Sequence, residues 1–273
     1  MSRHTEDVVE AAARACRRGG AYLADAFSRP VCTSAKSSRY DLVTQYDSAA
    51  ERIIRRELAT AFPDSVVIGE EDGASGAGDL TWYVDPIDGT HNFARGIPLF
   101  CVSVGAVLAG VPIAGCVYDP VRDELFSSDG TGIRPAQEDH QITEDRHAPP
   151  MLLTDIPTAG TADGGELELF LGVLDAADVR RIGSSALALA YVAAGRADVA
   201  ANADVFPWDI AAGRVLVTAA GGRFTEFPAP RTGAPGGFVA WRAPHEELGR
   251  RVERAMAGSW GTARPGASYD PQP

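Results

Sequence analysis

The chain has 273 residues, 45% hydrophobic, 8% aromatic and 23% charged, which is the balance of a globular protein with a sizeable core and excludes a disordered or fibrous one. Its formal net charge of -12 argues against nucleic acid or an anionic membrane as partner, because both would repel such a surface on average. An anionic substrate would then need cationic character gathered locally, and a carboxylate-rich pocket holding divalent metal would provide it.

In chain order, Thr5 followed by Glu6 and Asp7 reads as a helix start, with Val9, Ala12, Ala13 and Cys16 recurring on one face. No early apolar stretch has the length of a signal peptide and no later one could span a bilayer, so a cytoplasmic protein is expected. After the polar stretch Lys36 to Tyr40, Asp47 is placed to cap a second helix that turns Ile53, Ile54, Leu58 and Phe62 inward, with Pro63 beyond its end. Val66 to Gly69 and Leu80 to Asp85 read as strands that end in acids. Leu99 to Leu108, Val111 to Asp119 and Glu124 to Ser127 read as an antiparallel meander broken at Gly110 and Pro120.

Residues 128 to 150 read as a long surface loop. A strand at Met151 to Thr154 follows, then helices at Glu166 to Leu174, Ser184 to Ala194 and from near Asp209 to before Gly221. Arg223 to Phe227 and Gly237 to Trp241 are strand candidates, and Glu246 to Ala257 is a last helix. Helices alternating with strands throughout favour stacked helix and sheet layers. One unit is expected over 1–273, with halves of about 1–148 and 149–258 and a tail at 259–273. Cys16, Cys32, Cys101 and Cys116 lack metal-ligand spacing and read as core thiols, and the five histidines show no zinc pairing.

The densest chemical signal is Asp85-Pro86-Ile87-Asp88-Gly89-Thr90 after the apolar Trp82-Tyr83-Val84. Asp85 and Asp88 can share a hard cation, while Gly89 and Thr90 offer backbone N–H groups to an anion. The same letters also describe a Pro-Asp-Gly turn, since proline presets φ and glycine accepts positive φ. The nearby Glu70-Glu71 pair favours a site, because crowded carboxylates repel unless a dication compensates.

Gly69-Glu70-Glu71, then Trp82 to Thr90, then Pro207-Trp208-Asp209-Ile210-Ala211-Ala212-Gly213 resembles the inositol monophosphatase family. Lys36-Ser37-Ser38, Asp41-Leu42-Val43-Thr44 with Asp47, and Gly221-Gly222 are similar to it too. The resemblance implies an α+β fold, the layered αβαβα sandwich of the inositol monophosphatase and fructose-1,6-bisphosphatase type. It implies two to three Mg2+ ions held by Glu70, Asp85, the Ile87 carbonyl, Asp88 and Asp209. It further implies phosphate binding by Gly89 and Thr90, and attack by a water activated by Glu70 and by Thr90 bonded to Asp47. A homodimer acting on a small phosphorylated polyol, inositol 1-phosphate first, completes the expectation.

Asp47 and Asp209 have the alternative reading of helix caps, which Pro207-Trp208 and the resemblance outweigh at Asp209, and Lys36 reads as a solvated lysine or as part of a loop closing over the metals. The chain departs from the family at Asn202, seven residues before Asp209, where inositol-specific members carry a glutamate, and at Ser185, where a smaller residue is common. With Ser184, both border the expected substrate pocket. The departures leave histidinol phosphate or another cyclitol or sugar phosphate open. A haloacid-dehalogenase phosphatase is disfavoured by the three-residue separation of Asp85 and Asp88, and a non-catalytic scaffold on the same fold is the alternative of another class.

Overall fold

The protein is represented by a computed structural model that describes residues 2–36, 42–134, 148–160, 162–229 and 234–259. Helix α1 (Ser2–Ala26) buries Val8, Val9, Ala12, Ala15 and Cys16. It begins three residues ahead of Thr5, because no helix breaker stands in that stretch. Strands β1 (Thr33–Ala35) and β2 (Leu42–Thr44) pair antiparallel, and α2 (Asp47–Ala61) buries Ala50, Glu51, Ile54 and Leu58. Tyr46 occupies the N-cap position of α2, so Asp47 is its first helical residue and does not cap it.

The next strands are β3 (Ser65–Gly69), β4 (Gly73–Gly76) and β5 (Leu80–Asp88), followed by α3 (Thr90–Ala94). The expected meander follows as β6 (Cys101–Leu108), β7 (Val111–Asp119) and β8 (Glu124–Ser128), extended by β9 (Ile133–Arg134). These strands form one sheet in the order β4-β3-β5-β6-β7-β8-β9. The expected loop at 128–150 therefore starts with a short strand, and residues 135–147 of it lie outside the described residues, as do Ser37, Ser38, Asp41 and 260–273.

A second sheet is built from β10 (Met151–Leu153), α4 (Gly164–Val173), β11 (Asp178–Arg180), α5 (Ser185–Ala193), β12 (Val199–Val205), α6 (Pro207–Ala219), β13 (Arg223–Phe227), β14 (Gly236–Trp241) and α7 (Glu246–Ser259). Its order is β11-β10-β12-β14-β13. The layers follow from the packing. Helices α1 and α2 cover the outer face of the large sheet, and α5 and α6 fill the space between the sheets. Helices α4 and α7 cover the outer face of the small one. The middle core joins Val117 and Phe126 of the large sheet to Leu187, Leu189, Leu216 and Phe238. This is the layered αβαβα arrangement expected.

Strand β12 has no counterpart in the sequence reading. Val-Ala-Ala-Asn-Ala-Asp-Val is buried on both faces between helix layers and so lacks the alternation that marks a half-exposed strand. Three of the cysteines are buried, whereas Cys32 is exposed. No described helix is long and apolar enough to cross a membrane.

Candidate active site

The parallel pairs β3/β5 and β10/β12 point their C-terminal ends at one rim, where the chain leaves regular structure and polar side chains can gather. Strand β5 does not end in a simple Pro-Asp-Gly turn. It runs on through a register break between Asp85 and Asp88, and the Asp85 carboxylate accepts the Ile87 N–H at 2.9 Å, fastening the irregular segment. Gly89 then takes φ 105°, and a Cβ there would lie 2.8 Å from the Leu99 carbonyl oxygen, so only glycine carries the chain closely into α3.

Glu70 and Glu71 leave the end of β3, with the Glu70 N–H donating to the Val84 carbonyl. Beneath them the buried Glu51 carboxylate accepts the Glu71 and Asp72 N–H groups at 2.8 and 3.0 Å and pairs with Arg55 at 2.7 Å. Lys36 is not a solvated lysine. Its ammonium lies 2.8 Å from Glu70 and also pairs with Glu71. Burial disfavours that charge, but the two glutamates outweigh it and hold the ammonium above its ordinary pKa. Burial, together with repulsion from Glu70 and against the pull of Lys36, pushes Glu71 up to about 8.

Asp209 is the third residue of α6, not the residue before it. Its Oδ2 accepts the Phe206 N–H at 2.7 Å, so it closes the helix start while its side chain stays within the acidic group. Asp85 interacts electrostatically with both Glu70 and Asp209. Burial, compounded by repulsion among Glu70, Asp85, Asp88 and Asp209, holds Asp85 and Asp209 well above the carboxylate range. Asp88 lies at the start of α5, accepting from Ser184 Oγ at 2.9 Å, the Ser185 N–H at 3.2 Å and the Ala186 N–H. Burial still lifts it to about 7 against those three bonds.

Asp47 reaches away from its own helix. Its Oδ2 accepts the Thr44 N–H at 2.8 Å and the Thr44 hydroxyl at 2.5 Å, and its Oδ1 faces the Thr90 hydroxyl at 3.2 Å. The same Thr90 hydroxyl lies 3.0 Å from the Ile87 carbonyl oxygen. Burial, opposed by the Thr44 bonds, raises Asp47 to about 6.

Among the described residues, no three His, Cys, Asp or Glu side chains stand converged as a ready-made metal cage. The acids are paired instead with one another, with Lys36 and with the start of α5. The donor chemistry nevertheless suits a hard dication: oxygen ligands only, buried at Asp85 and Asp88 and half-buried at Glu70 and Asp209, and short of compensating positive charge. Swinging Lys36 aside and parting Asp85 from Asp209 would free those oxygens.

The inositol monophosphatase family model matches residues 4–257. The chain belongs to the inositol monophosphatase family. It is similar to the Nus factor SuhB of Pasteurella multocida, 36% identical over 90% of this chain and 96% of that protein. It is also similar to the Nus factor SuhB of Xylella fastidiosa, 38% identical over 70% and 71% of the two chains. Among solved structures, the extragenic suppressor protein suhB of Bartonella henselae matches with a TM-score of 0.80 at 31% identity, covering 91% of this chain and 98% of that one. An inositol monophosphatase from Anabaena matches with a TM-score of 0.74 at 30% identity, over 91% and 96%.

The two positions that depart from the inositol monophosphatase pattern touch each other, Asn202 Nδ2 donating to Ser185 Oγ at 2.8 Å. Asn202 is buried and its amide is spent inside the protein, so it is not the open pocket residue expected. The same contacts bring in Asp155, which the sequence reading passed over. Its signal was an acid just beyond a parallel strand. Asn92 was missed as well. Its Nδ2 donates to the carbonyls of Leu99 and Ile182, both at 2.7 Å, and so ties α3 to the loop before α5. His91 is exposed within α3, and Asp204 is an exposed residue with φ 63° in the irregular end of β12.

Proposed function

We propose that the protein hydrolyses a small phosphate monoester by direct attack of water, with inositol 1-phosphate the leading substrate and histidinol phosphate or another cyclitol or sugar phosphate next. The observation that carries the reading is the mutually repelling carboxylate group of buried Asp85 and Asp88 and half-buried Glu70 and Asp209 beside the Thr90–Asp47 pair.

In this reading Glu70, Asp85, the Ile87 carbonyl, Asp88 and Asp209 would hold two to three Mg2+ ions. These would supply acidified water and neutralise charge on the phosphate and the leaving alkoxide. Thr90 directs its proton towards Asp47, leaving an oxygen lone pair to receive a water proton as its own passes to the Asp47 carboxylate, whose raised pKa suits it to hold that proton. Glu70 would share that task. The Gly89 and Thr90 N–H groups at the start of α3 would receive phosphate oxygens. Ser184 keeps Asp88 oriented, and Ser185 borders the leaving alcohol.

Phosphate release from a panel of monoesters, with and without magnesium, tests the proposal. Asp209→Asn is expected to lower turnover at least about 100-fold, in line with loss of a metal-site carboxylate. Full turnover without divalent metal, or a phosphoryl group trapped on Asp85, would overturn it. The relatives named Nus factor support a second reading, a protein that works by binding partners on the same fold. A folded chain with no turnover of any monoester would favour that reading. A cytoplasmic homodimer is part of the proposal, and sedimentation of the purified chain checks the dimer.

A further inference from the structure

The wall of the site beyond Asp88 is organised around Asn202, and every strong hydrogen bond of that amide is internal. Its Oδ1 accepts the Asp155 N–H at 2.5 Å, which fixes the orientation of the group, since a backbone N–H can only donate. Its Nδ2 donates to Ser185 Oγ at 2.8 Å and lies 3.5 Å from Asp155 Oδ2. With Asn202 only 2% exposed, its amide is closed off from a substrate.

Asp155 differs on each count. It follows β10, whose parallel register sets Leu153 beside Ala200 and so brings Asp155 beside Asn202. Its Oδ1 accepts the Gly183 N–H at 3.2 Å, and among the described residues Oδ2 has only the long Asn202 contact. An ionised carboxylate accepts about four hydrogen bonds, so capacity remains. Among the described residues, no lysine or arginine hydrogen-bonds to this carboxylate; Arg181 is near enough for its charge to act on it but donates to the Pro157 carbonyl. Asp155 is partly exposed and belongs to the lining of the site. The Gly183 carbonyl stands 3.2 Å from where a Cβ on Gly89 would be, and Ser185, the other partner of Asn202, donates its N–H to Asp88.

We propose that Asp155 is a specificity-determining residue, accepting a hydrogen bond from a hydroxyl or ammonium group on the leaving alcohol of the substrate, with Asn202 a positioning residue that fixes it. The selected class is a phosphomonoester whose alcohol carries a donor close to the ester oxygen. The inference rests on the phosphatase reading, so the test includes an ester without such a donor.

Wild type and Asp155→Asn are compared with magnesium on three probes: glycerol 2-phosphate for the hydroxyl arm, O-phosphoethanolamine for the ammonium arm, and p-nitrophenyl phosphate as the ester without a donor. Asparagine keeps an oxygen for the Gly183 N–H while removing the charge. The expected result is a fall in kcat/KM of about 10-fold or more, carried mainly by KM, on at least one donor-bearing ester relative to p-nitrophenyl phosphate. The arm that falls further identifies the donor. Equal loss on all three probes, or no loss, overturns the assignment. Phosphate release by wild type from none of the three removes the phosphatase reading first and this inference with it. If Asp155→Asn does not fold, Asp155→Glu, which advances the same charge by one methylene, must still change the ratio between donor-bearing and donor-free esters. An unchanged ratio overturns the assignment.

Discussion

Gly105→Ala tests how the large sheet sets the position of Asp209. A Cβ on Gly105 of β6 would lie 2.6 Å from Ala211 Cβ, 2.7 Å from Ala211 C and 2.7 Å from Ala212 N, all on the first turns of α6. Ordinary contact begins near 3.4 Å, so relief requires α6 to retreat by about 0.8 Å, the difference between 3.4 and 2.6. Overpacking of this kind costs about 1–3 kcal/mol, and at ~2–4 °C per kcal/mol for a chain of this size the Tm should fall by roughly 2–12 °C. Asp209 rides on the displaced turn, and a misplacement of about 1 Å in a catalytic group is worth ~100-fold in rate. Differential scanning calorimetry and magnesium-dependent phosphate release read the two effects. Because two of the three contacts are backbone, adding Ala211→Gly should not restore either. Wild-type Tm and turnover in Gly105→Ala, or full rescue by Ala211→Gly, would refute the reasoning.

Three further outcomes are expected. Lys36→Ala removes the cation between Glu70 and Glu71, so the metal-free chain should melt lower while the rise in Tm on adding magnesium grows, as read by a thermal-shift titration. Asp47, Asp88 and Glu71 have folded pKa values raised to about 6, 7 and 8. Stability from such groups is complete below the unfolded carboxylate range, near 4, and is lost as pH rises through the folded values. Metal-free Tm should therefore decline between about pH 4 and 8, and Asp88→Asn should flatten that decline. Arg196 pairs with the buried Glu124 through two 2.6 Å contacts and lies over the Phe126 and Tyr191 rings, so Arg196→Ala should cost at least about 2 kcal/mol in urea unfolding.

The sequence by itself determined the elements with strong periodicity and the residues whose chemistry is local. The meander β6–β7–β8 announces itself through apolar runs broken at Gly110 and Pro120, and α5 through Ser184 and its apolar composition, because turns and caps are short-range effects. The acids of the site were visible as carboxylates at strand ends. Tertiary structure decided which groups meet. Strand β12, buried on both faces, carries no alternation for a reader to find, and its absence from the sequence reading hid the register that brings Asn202 to Asp155. Asp47 and Asp209 both stand at helix starts, yet one bonds back to Thr44 and faces Thr90, and the other joins Asp85. A helix-start pattern fixes where a carboxylate sits along the chain but not what lies across from it. Lys36 is a polar-loop lysine in the sequence and the counter-charge of Glu70 and Glu71 in the fold, because only long-range folding sets the desolvation and the neighbours that give a charge its partner.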